Sequence, residues 1–395
     1  MEPFDNKERE EHKPNDSIVS NCNKTRSICP ELKYLSCSNT EILKSLFDEG
    51  LVNAVEWKEL YSRPEPKVSR VEAADKVVNM LLGVAIGDSL GYPVEHLIPE
   101  ERLKRYGLIT SYVSGRALPS DDTQLTFDTV KVILEHSRIV PWELARIFAS
   151  HRISGMGRTV REFLRNYREK GLPWYRTGLK RPSNGAIMRI SPVIIPNLKT
   201  KENYLVDAVL DTLITHNEPL AIASSVAFAD MLWNIINGNG RIDAEEIIER
   251  FVLVISKLTG DKKYKTREIA RVRYEGPASE FIRDQVYYAL DRGLTVQELS
   301  KTIGSGGYLL ETVTNALFIF VKYLDNPQRG IIEAVNFTKD NDTIASIVAS
   351  AFGALYGRQA FRKDWIKHLP GKLLKHGQDG EVFQLLNCIE AFLTS

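Results

Sequence analysis

The sequence predicts an all-α fold, an orthogonal multi-helix domain preceded by a polar N-terminal extension. Three observations carry that expectation. Apolar residues recur at three- and four-residue spacing through most of the chain beyond residue 71. Gly, Pro or Asn clusters separate the periodic segments. No alternation of βαβ units is visible, and no Gly-x-Gly-x-x-Gly follows a strand, so a dinucleotide-binding sheet is excluded. The first helix, 77–86, is apolar nearly all round and is expected to be buried. Further helices are expected over 123–136, 142–150, 205–214, 219–236, 244–257, 278–292, 309–324 and 343–356.

Composition narrows the class of function. Of 395 residues, 43% are hydrophobic and 26% charged, the balance of an ordinary soluble globular protein. The 52 basic and 51 acidic side chains leave a formal charge of +1, which argues against a broad electrostatic grip on nucleic acid or an anionic membrane and leaves room only for a local patch. No apolar run reaches the roughly 18–20 residues of a membrane span, and the first ten residues have no apolar core of a secretory signal. A cytoplasmic location is expected. Cys22, Cys29 and Cys37 are separated by six and then seven intervening residues in the polar first forty, which is no zinc spacing, so they read as reduced thiols.

Residues 1–40 carry no helical period and read as an extended or disordered arm. Ile42, Leu43, Leu46, Phe47, Leu51, Val52, Val55 and Trp57 then fall near helical spacing. Arg63-Pro64-Glu65-Pro66-Lys67 reads as a stiff linker. The expected division is an extension over 1–70 and a compact domain over 71–395. The apolar anchors between Ile42 and Tyr61 suggest an arm that binds a partner.

Three acidic clusters stand at the edges of apolar helices. Gly87-Asp88-Ser89-Leu90-Gly91-Tyr92-Pro93-Val94-Glu95 follows the buried helix; its glycines are expected to give a tight exit, with Glu95 at the end of a rigid loop. Ser120-Asp121-Asp122-Thr123 and Asp340-Asn341-Asp342-Thr343 each precede a helix. Both read equally as N-caps, and Asp121 with Gln124 resembles a capping box. Against capping alone, a cap needs one oxygen side chain and each cluster supplies three or four, the hard oxygen donors that Mg²⁺ and Mn²⁺ prefer.

Taken in order, Gly-Asp-Ser-Leu-Gly (87–91) with Glu95, Ser-Asp-Asp-Thr (120–123), Gly-Met-Gly-Arg-Thr (155–159), Asn-Gly-Ala-Ile-Met-Arg-Ile-Ser-Pro (184–192), Thr-His-Asn (215–217), Gly-Ser-Gly-Gly-Tyr (304–308) and Asp-Asn-Asp-Thr (340–343) resemble the ADP-ribosylglycohydrolase family. The resemblance implies an orthogonal all-α fold with two Mg²⁺ or Mn²⁺ ions in a cleft. It implies ligands from Ser120, Asp121 and Asp122 on one side and from Asp340, Asp342 and Thr343 on the other, with Glu95 as catalytic acid. Gly155, Met156, Gly157, Asn184, Gly185, His216, Gly304, Gly306 and Tyr308 match segments lining the ADP-ribose cleft. Read by themselves, His216 is an ordinary helix-end cap and Tyr308 a core aromatic. The implied activity is removal of ADP-ribose from a modified protein, arginine being the expected acceptor. Such an enzyme reverses an ADP-ribosyltransferase and would suit toxin immunity, the extension 1–70 binding the cognate toxin. A second class, a binding protein that neutralises the transferase by occlusion with that extension, stays open. Two positions depart from the family pattern: Ser120 stands where Thr is common, and Thr338-Lys339 where Gly-Gly is usual. A lysine there is expected to reach substrate phosphate or to reshape the loop.

Overall fold

The computed structural model describes residues 33–113, 117–238, 240, 242–374 and 377–395. The chain divides into two units, 1–38 and 39–395. Residues 33–38 of the first make a single turn, closed by the Cys37 N–H donating to the Tyr34 carbonyl at 3.0 Å. The arm expected over the first forty residues lies almost wholly outside the described residues.

The second unit is built on helices, as the apolar period requires. In chain order they are α1 (Asn39–Asp48), α2 (Arg70–Gly91), α3 (Pro99–Tyr106), α4 (Asp121–His136), α5 (Pro141–Phe148), α6 (Arg158–Leu164), α7 (Ile195–Lys199), α8 (Tyr204–Thr215), α9 (Pro219–Asn237), α10 (Ala244–Thr259), α11 (Ala278–Asp291), α12 (Val296–Ile303), α13 (Leu309–Lys322), α14 (Pro327–Phe337), α15 (Asn341–Tyr356), α16 (Lys363–Lys367) and α17 (Glu381–Thr394). Between α10 and α11 lies an antiparallel hairpin of β1 (Lys263–Lys265) and β2 (Glu275–Pro277), with Lys263 opposite Pro277. The apolar period gave no sign of it, because a three-residue strand is too short to show alternation.

The centre of the domain is the pair α2 and α15. Ser69 caps α2 by accepting from the Glu72 N–H, and the helix runs unbroken through Gly91. The tight exit expected at Gly87 is therefore not there; the chain leaves the helix at Tyr92, with Pro93 in a single 3₁₀ turn. The glycines serve contact instead. A β-carbon on Gly83, Gly87 or Gly91 would lie 2.3 Å from the Ala349 carbonyl oxygen, 2.4 Å from that of Ala345 and 2.5 Å from the backbone of Asp342. From the other side, a β-carbon on Gly353 would lie 2.2 Å from the Asn79 carbonyl oxygen. Each glycine costs about 1 kcal/mol in a helix interior, and close backbone packing is the compensation. The small-residue stripe of α15, Ala345, Ala349 and Gly353, is the matching half of this contact.

Among the described residues two helical stretches, Arg70–Val94 and Pro219–Asn237, are long and apolar enough to cross a membrane, where the sequence reading expected no apolar run of that length. Both are mostly buried inside the domain.

Residues 39–70 belong to the same unit as the helices that follow. Ile42, Leu43 and Leu46 are fully buried, and Asn39 Nδ2 donates to Asp207 Oδ1 at 2.6 Å. Gly50, at φ +65°, ends the first helix, so Leu51 to Trp57 continue without helical structure. The expected linker is pinned to the domain: Arg63 donates to the Glu202 and Thr200 carbonyls, and the Pro64 carbonyl accepts from Asn197. Most apolar anchors that suggested a partner-binding arm are spent on the chain's own core.

The backbone contact makes a direct prediction. Gly87→Ala should lower the unfolding free energy by about 1–3 kcal/mol through overpacking. Gly157→Ala, whose β-carbon meets nothing within 4 Å, should stay within about 0.5 kcal/mol of wild type. Chemical denaturation of both variants checks this; wild-type stability in Gly87→Ala would remove the argument.

Candidate active site

Three helix ends converge where α2, α4 and α15 meet. Asp88, Asp122 and Asp342 offer carboxylate oxygens within 4.8 Å of one another, and so do Glu95, Asp340 and Asp342. Asp88 comes from inside α2, where its Oδ2 accepts from the Ser120 N–H (2.9 Å), the Thr123 N–H (3.2 Å) and the Thr123 hydroxyl. Its other oxygen, Oδ1, is buried without a hydrogen-bond partner. Asp122 accepts from Ser346 (2.7 Å), Ser120 (3.2 Å) and Thr343 (3.3 Å), which ties the start of α4 to α15.

The capping alternative is met by Ser120, whose hydroxyl accepts from the Asp122 N–H at 3.2 Å. Asp340 occupies the N-cap position of α15 and makes no capping bond. Its Oδ2 instead accepts from Asn184 Nδ2 at 2.6 Å. Gln124 completes no capping box: its side chain accepts from the Ser154 N–H (2.9 Å) and donates to the Leu373 carbonyl, so it holds the 154–157 loop.

So many carboxylates in one place repel one another, and burial adds to the cost of charge. Burial, then nearby Asp88, pushes Asp121 up to about 8. Asp88 is pushed up to about 6, burial outweighing its hydrogen bonds. Asp122 and Asp342 are raised well above the usual carboxylate range, by burial first and neighbouring carboxylates second. Glu95, half-buried, is pushed up to about 7 by desolvation and Asp340, with Lys339 pulling the other way.

Two cations hold the Glu95 turn against the loop before α15. The buried Arg102 guanidinium donates to the carbonyls of Val335 (2.5 Å), Thr338 (3.0 Å) and Leu97 (3.1 Å). The Lys339 ammonium donates to the carbonyls of Glu95 (2.8 Å) and Leu97 (3.3 Å). The lysine that departs from the family pattern thus straps one side of the site to the other.

Above the carboxylates opens a cleft of about 510 Å³. Glu95, Asp121, Asp122, Asp340, Asp342 and Thr343 line its acidic end, and Gly155, Gly157, Asn184, Gly185 and Gly306 its walls. Gly155 sits at φ +73°, and a β-carbon there would meet the Tyr92 ring at 2.9 Å, so only glycine fits. The structure places the remaining site residues of the sequence reading off the cleft lining. Ser120 is buried in the α4 cap. The Met156 carbonyl is engaged by Arg161. Gly304 lies against the Glu311 carboxylate, and Tyr308 donates its hydroxyl to the Lys265 carbonyl.

His216 stands one layer back, fully buried, its pKa pushed down to about 3 by desolvation and by Arg189. Arg189 pairs with Asp211 and donates to Thr215 Oγ1 (2.9 Å), Thr215 meets His216 Nδ1 (2.8 Å), and His216 Nε2 meets Ser183 Oγ (2.8 Å). The chain of contacts runs on from Ser183 Oγ to Thr159 Oγ1 at 2.9 Å on the cleft wall. Sequence reasoning missed Asp88, Ser183, Thr159, Arg158, Arg181 and Arg267 as site residues. Asp88, Arg158 and Thr159 stood within quoted motifs, but what they meet comes from elsewhere in the chain; Ser183, Arg181 and Arg267 carry no local signal.

Residues 69–389 match the sequence model described as ADP-ribosylglycohydrolase. The chain is 26% identical to the ADP-ribosylarginine hydrolase Tri1 of Serratia proteamaculans (strain 568), over 80% of each chain. It is 23% identical to the ADP-ribosyl-dinitrogen reductase glycohydrolase of Rhodospirillum rubrum, over 76% of this chain and 92% of that protein. A solved structure described as an ADP-ribosylglycohydrolase-related protein complex shares the fold, with a TM-score of 0.58 at 20% identity, covering 82% of this chain and 98% of the other. With a cleft floored by carboxylates inside an all-helical domain, the protein is a glycohydrolase. It belongs to the ADP-ribosylglycohydrolase family.

The raised carboxylates predict how the metal-free protein responds to pH. Asp88 and Asp121 move from 3.8 to about 6 and about 8, and Glu95 from 4.5 to about 7. Each binds its proton more tightly when folded. Their contribution to stability is therefore complete below the unfolded values and lost as pH rises through the folded ones. Thermal unfolding in EDTA should show a lower Tm at about pH 8 than at about pH 5, and Asp121→Asn should flatten that fall; the opposite slope would contradict the assignment.

Proposed function

We propose that this chain is a divalent-cation-dependent hydrolase that frees arginine side chains of ADP-ribose on modified proteins. The observation that carries the reading is the meeting of Asp88, Asp122 and Asp342 within 4.8 Å, with a buried Asp88 oxygen left without a partner. The donor set fits Mg²⁺ or Mn²⁺: it is all oxygen, and its mutual repulsion needs an offsetting charge. Asp88, Asp121, Asp122, Asp340 and Asp342, with the Ser120 and Thr343 hydroxyls beside them, are the residues that would hold two such ions. When bound, the ions orient the ribose diol and polarise its oxygens.

The chain's own residues do the rest. Hydrolysis breaks the bond between the anomeric carbon and the guanidine nitrogen. Water supplies oxygen to that carbon, and a proton goes to the departing nitrogen. Glu95, with a pKa near neutrality, is suited to moving that proton, since an acid or base works best when its pKa lies near the working pH. Lys339 and Arg102 fix its turn. Asn184 bridges Asp340 and the Gly306-Gly307 turn, donating to Asp340 and, through its N–H, to the Gly307 carbonyl at 3.1 Å. The ADP moiety lies along the glycine-lined walls, where backbone N–H groups approach phosphate closely. Relatives named for arginine and dinitrogen reductase substrates support this acceptor class. The same activity would serve as immunity to an ADP-ribosylating toxin. Occlusion of a transferase by the extension is not favoured, since Ile42, Leu43 and Leu46 are buried in the domain.

The reading is tested by release of ADP-ribose from an arginine-ADP-ribosylated protein with Mg²⁺ or Mn²⁺, with EDTA, and in Asp342→Ala. Release should need the cation and vanish in the variant; undiminished release in EDTA rejects the proposal. Glu95→Gln should cost about 10²–10⁴ in kcat. Lys339→Met should lower kcat about tenfold, the order of 1.4 kcal/mol in the barrier, while the Kd for ADP-ribose by calorimetry stays unchanged. Weaker ADP-ribose binding at unchanged kcat would make Lys339 a substrate ligand and not a strap.

A further inference from the structure

The net charge of +1 hides an uneven distribution. Between Arg152 and Arg181 the chain carries nine Lys or Arg against two Glu, an excess of seven, so the remainder is net acidic. The tertiary structure brings six of these side chains, all arginines, to one side of the cleft mouth. Along α6 and the turn that continues it, Arg158, Arg161, Arg165 and Arg168 are three, four and three residues apart and all exposed, the spacing that stacks side chains along one side of a helix. The second basic segment runs beside the first: Thr159 meets Ser183 (2.9 Å), Arg181 pairs with Glu162 (3.2 Å), and Asn166 Nδ2 donates to the Thr177 carbonyl (3.1 Å). Arg176 therefore stands next to the Arg165 turn. The acids do not neutralise the face. Glu162 is shared by Arg158 and Arg181, and Glu169 pairs with Arg165 alone, at 3.6 Å.

This face is continuous with the cleft, because Arg158 and Arg181 line it. We propose that the ridge is the docking surface for the modified polypeptide, and that it selects ADP-ribosylated side chains flanked by acidic residues. The inference rests on the hydrolase reading above. A modified side chain reaching the carboxylates must bring its own polypeptide to the cleft mouth. Surface charges of one sign there attract a partner of the other and repel its like. Acidic protein is favoured over nucleic acid because the relatives' named substrates include a protein.

The test uses the full chain and two fluorescein-labelled peptides, each with one ADP-ribosylarginine, flanked by glutamates in one and by glutamines in the other. At about 50 mM NaCl the glutamate peptide should bind about tenfold tighter by anisotropy, and the gap should close at about 500 mM. Arg165→Glu combined with Arg176→Glu should abolish the preference while leaving hydrolysis of free ADP-ribosylarginine unchanged. Equal binding of the two peptides, or a preference that survives the double variant, overturns the proposal. So does a single-stranded oligonucleotide that binds more tightly than the glutamate peptide and is lost in the double variant, which would mark a nucleic-acid surface. Failure of the wild type to hydrolyse free ADP-ribosylarginine would reject the hydrolase reading instead, and anisotropy would still decide the docking question.

Discussion

The carbonyl oxygen of Ala345 lies where a β-carbon on Gly87 would have to stand. Helices whose facing side chains interdigitate keep their axes about 8–10 Å apart; with glycine on one helix and alanine or glycine on the other, α2 and α15 touch backbone to backbone. That contact sets the distance between Asp88, which projects from α2, and Asp342, at the start of α15. It also sets where α4 can dock, since Asp88 accepts from Ser120 and Thr123. The carboxylate cluster is a consequence of two helices having no room for side chains between them.

A cluster of like charges would push flexible elements apart, and here it is held by parts that cannot easily yield. Helix ends supply Asp122 and Asp342, Asn184 ties Asp340 to the opposite wall, and Arg102 and Lys339 lock the Glu95 turn. These cations bond backbone carbonyls and not the carboxylates of the cluster, so they fix geometry while offsetting only part of its charge. The resulting excess of negative charge in a half-closed cleft is the environment in which a bound divalent cation would have its strongest hold.

Much of this was legible in the residues. Helical period located most of the expected helices to within about two residues, because one face of each is buried against the core, but it caught only the middle of α2, expected over 77–86 and running Arg70–Gly91. The acid clusters and Glu95 were visible because Asp, Ser and Thr crowd at helix starts beyond what capping needs. Where the sequence misled, local and tertiary roles had been confused. Gly87 and Gly91 suggested a turn, yet they lie in a helix, since glycine serves close approach as well as sharp bends. Ile42, Leu43 and Leu46 suggested a docking arm, yet they are core, since an amphipathic face does not say whose surface covers it. For Lys339 the sequence offered a reach to phosphate or a reshaped loop, and it gave no sign of the bond to the Glu95 carbonyl that the structure shows.

By itself, the sequence determined the helical class, the order of the motifs and the kinds of atom at the site, because these depend on periodicity and side-chain chemistry that neighbours along the chain already display. The tertiary structure decided which acids meet, that Asp88 joins them, that His216 lies behind Ser183, and that two basic segments merge into one ridge at the cleft. Those facts depend on contacts between residues far apart in the chain, such as the 250 positions between Asn341 and the Gly91 carbonyl. No local pattern encodes a distance across the core; it follows from how closely two backbones can pack.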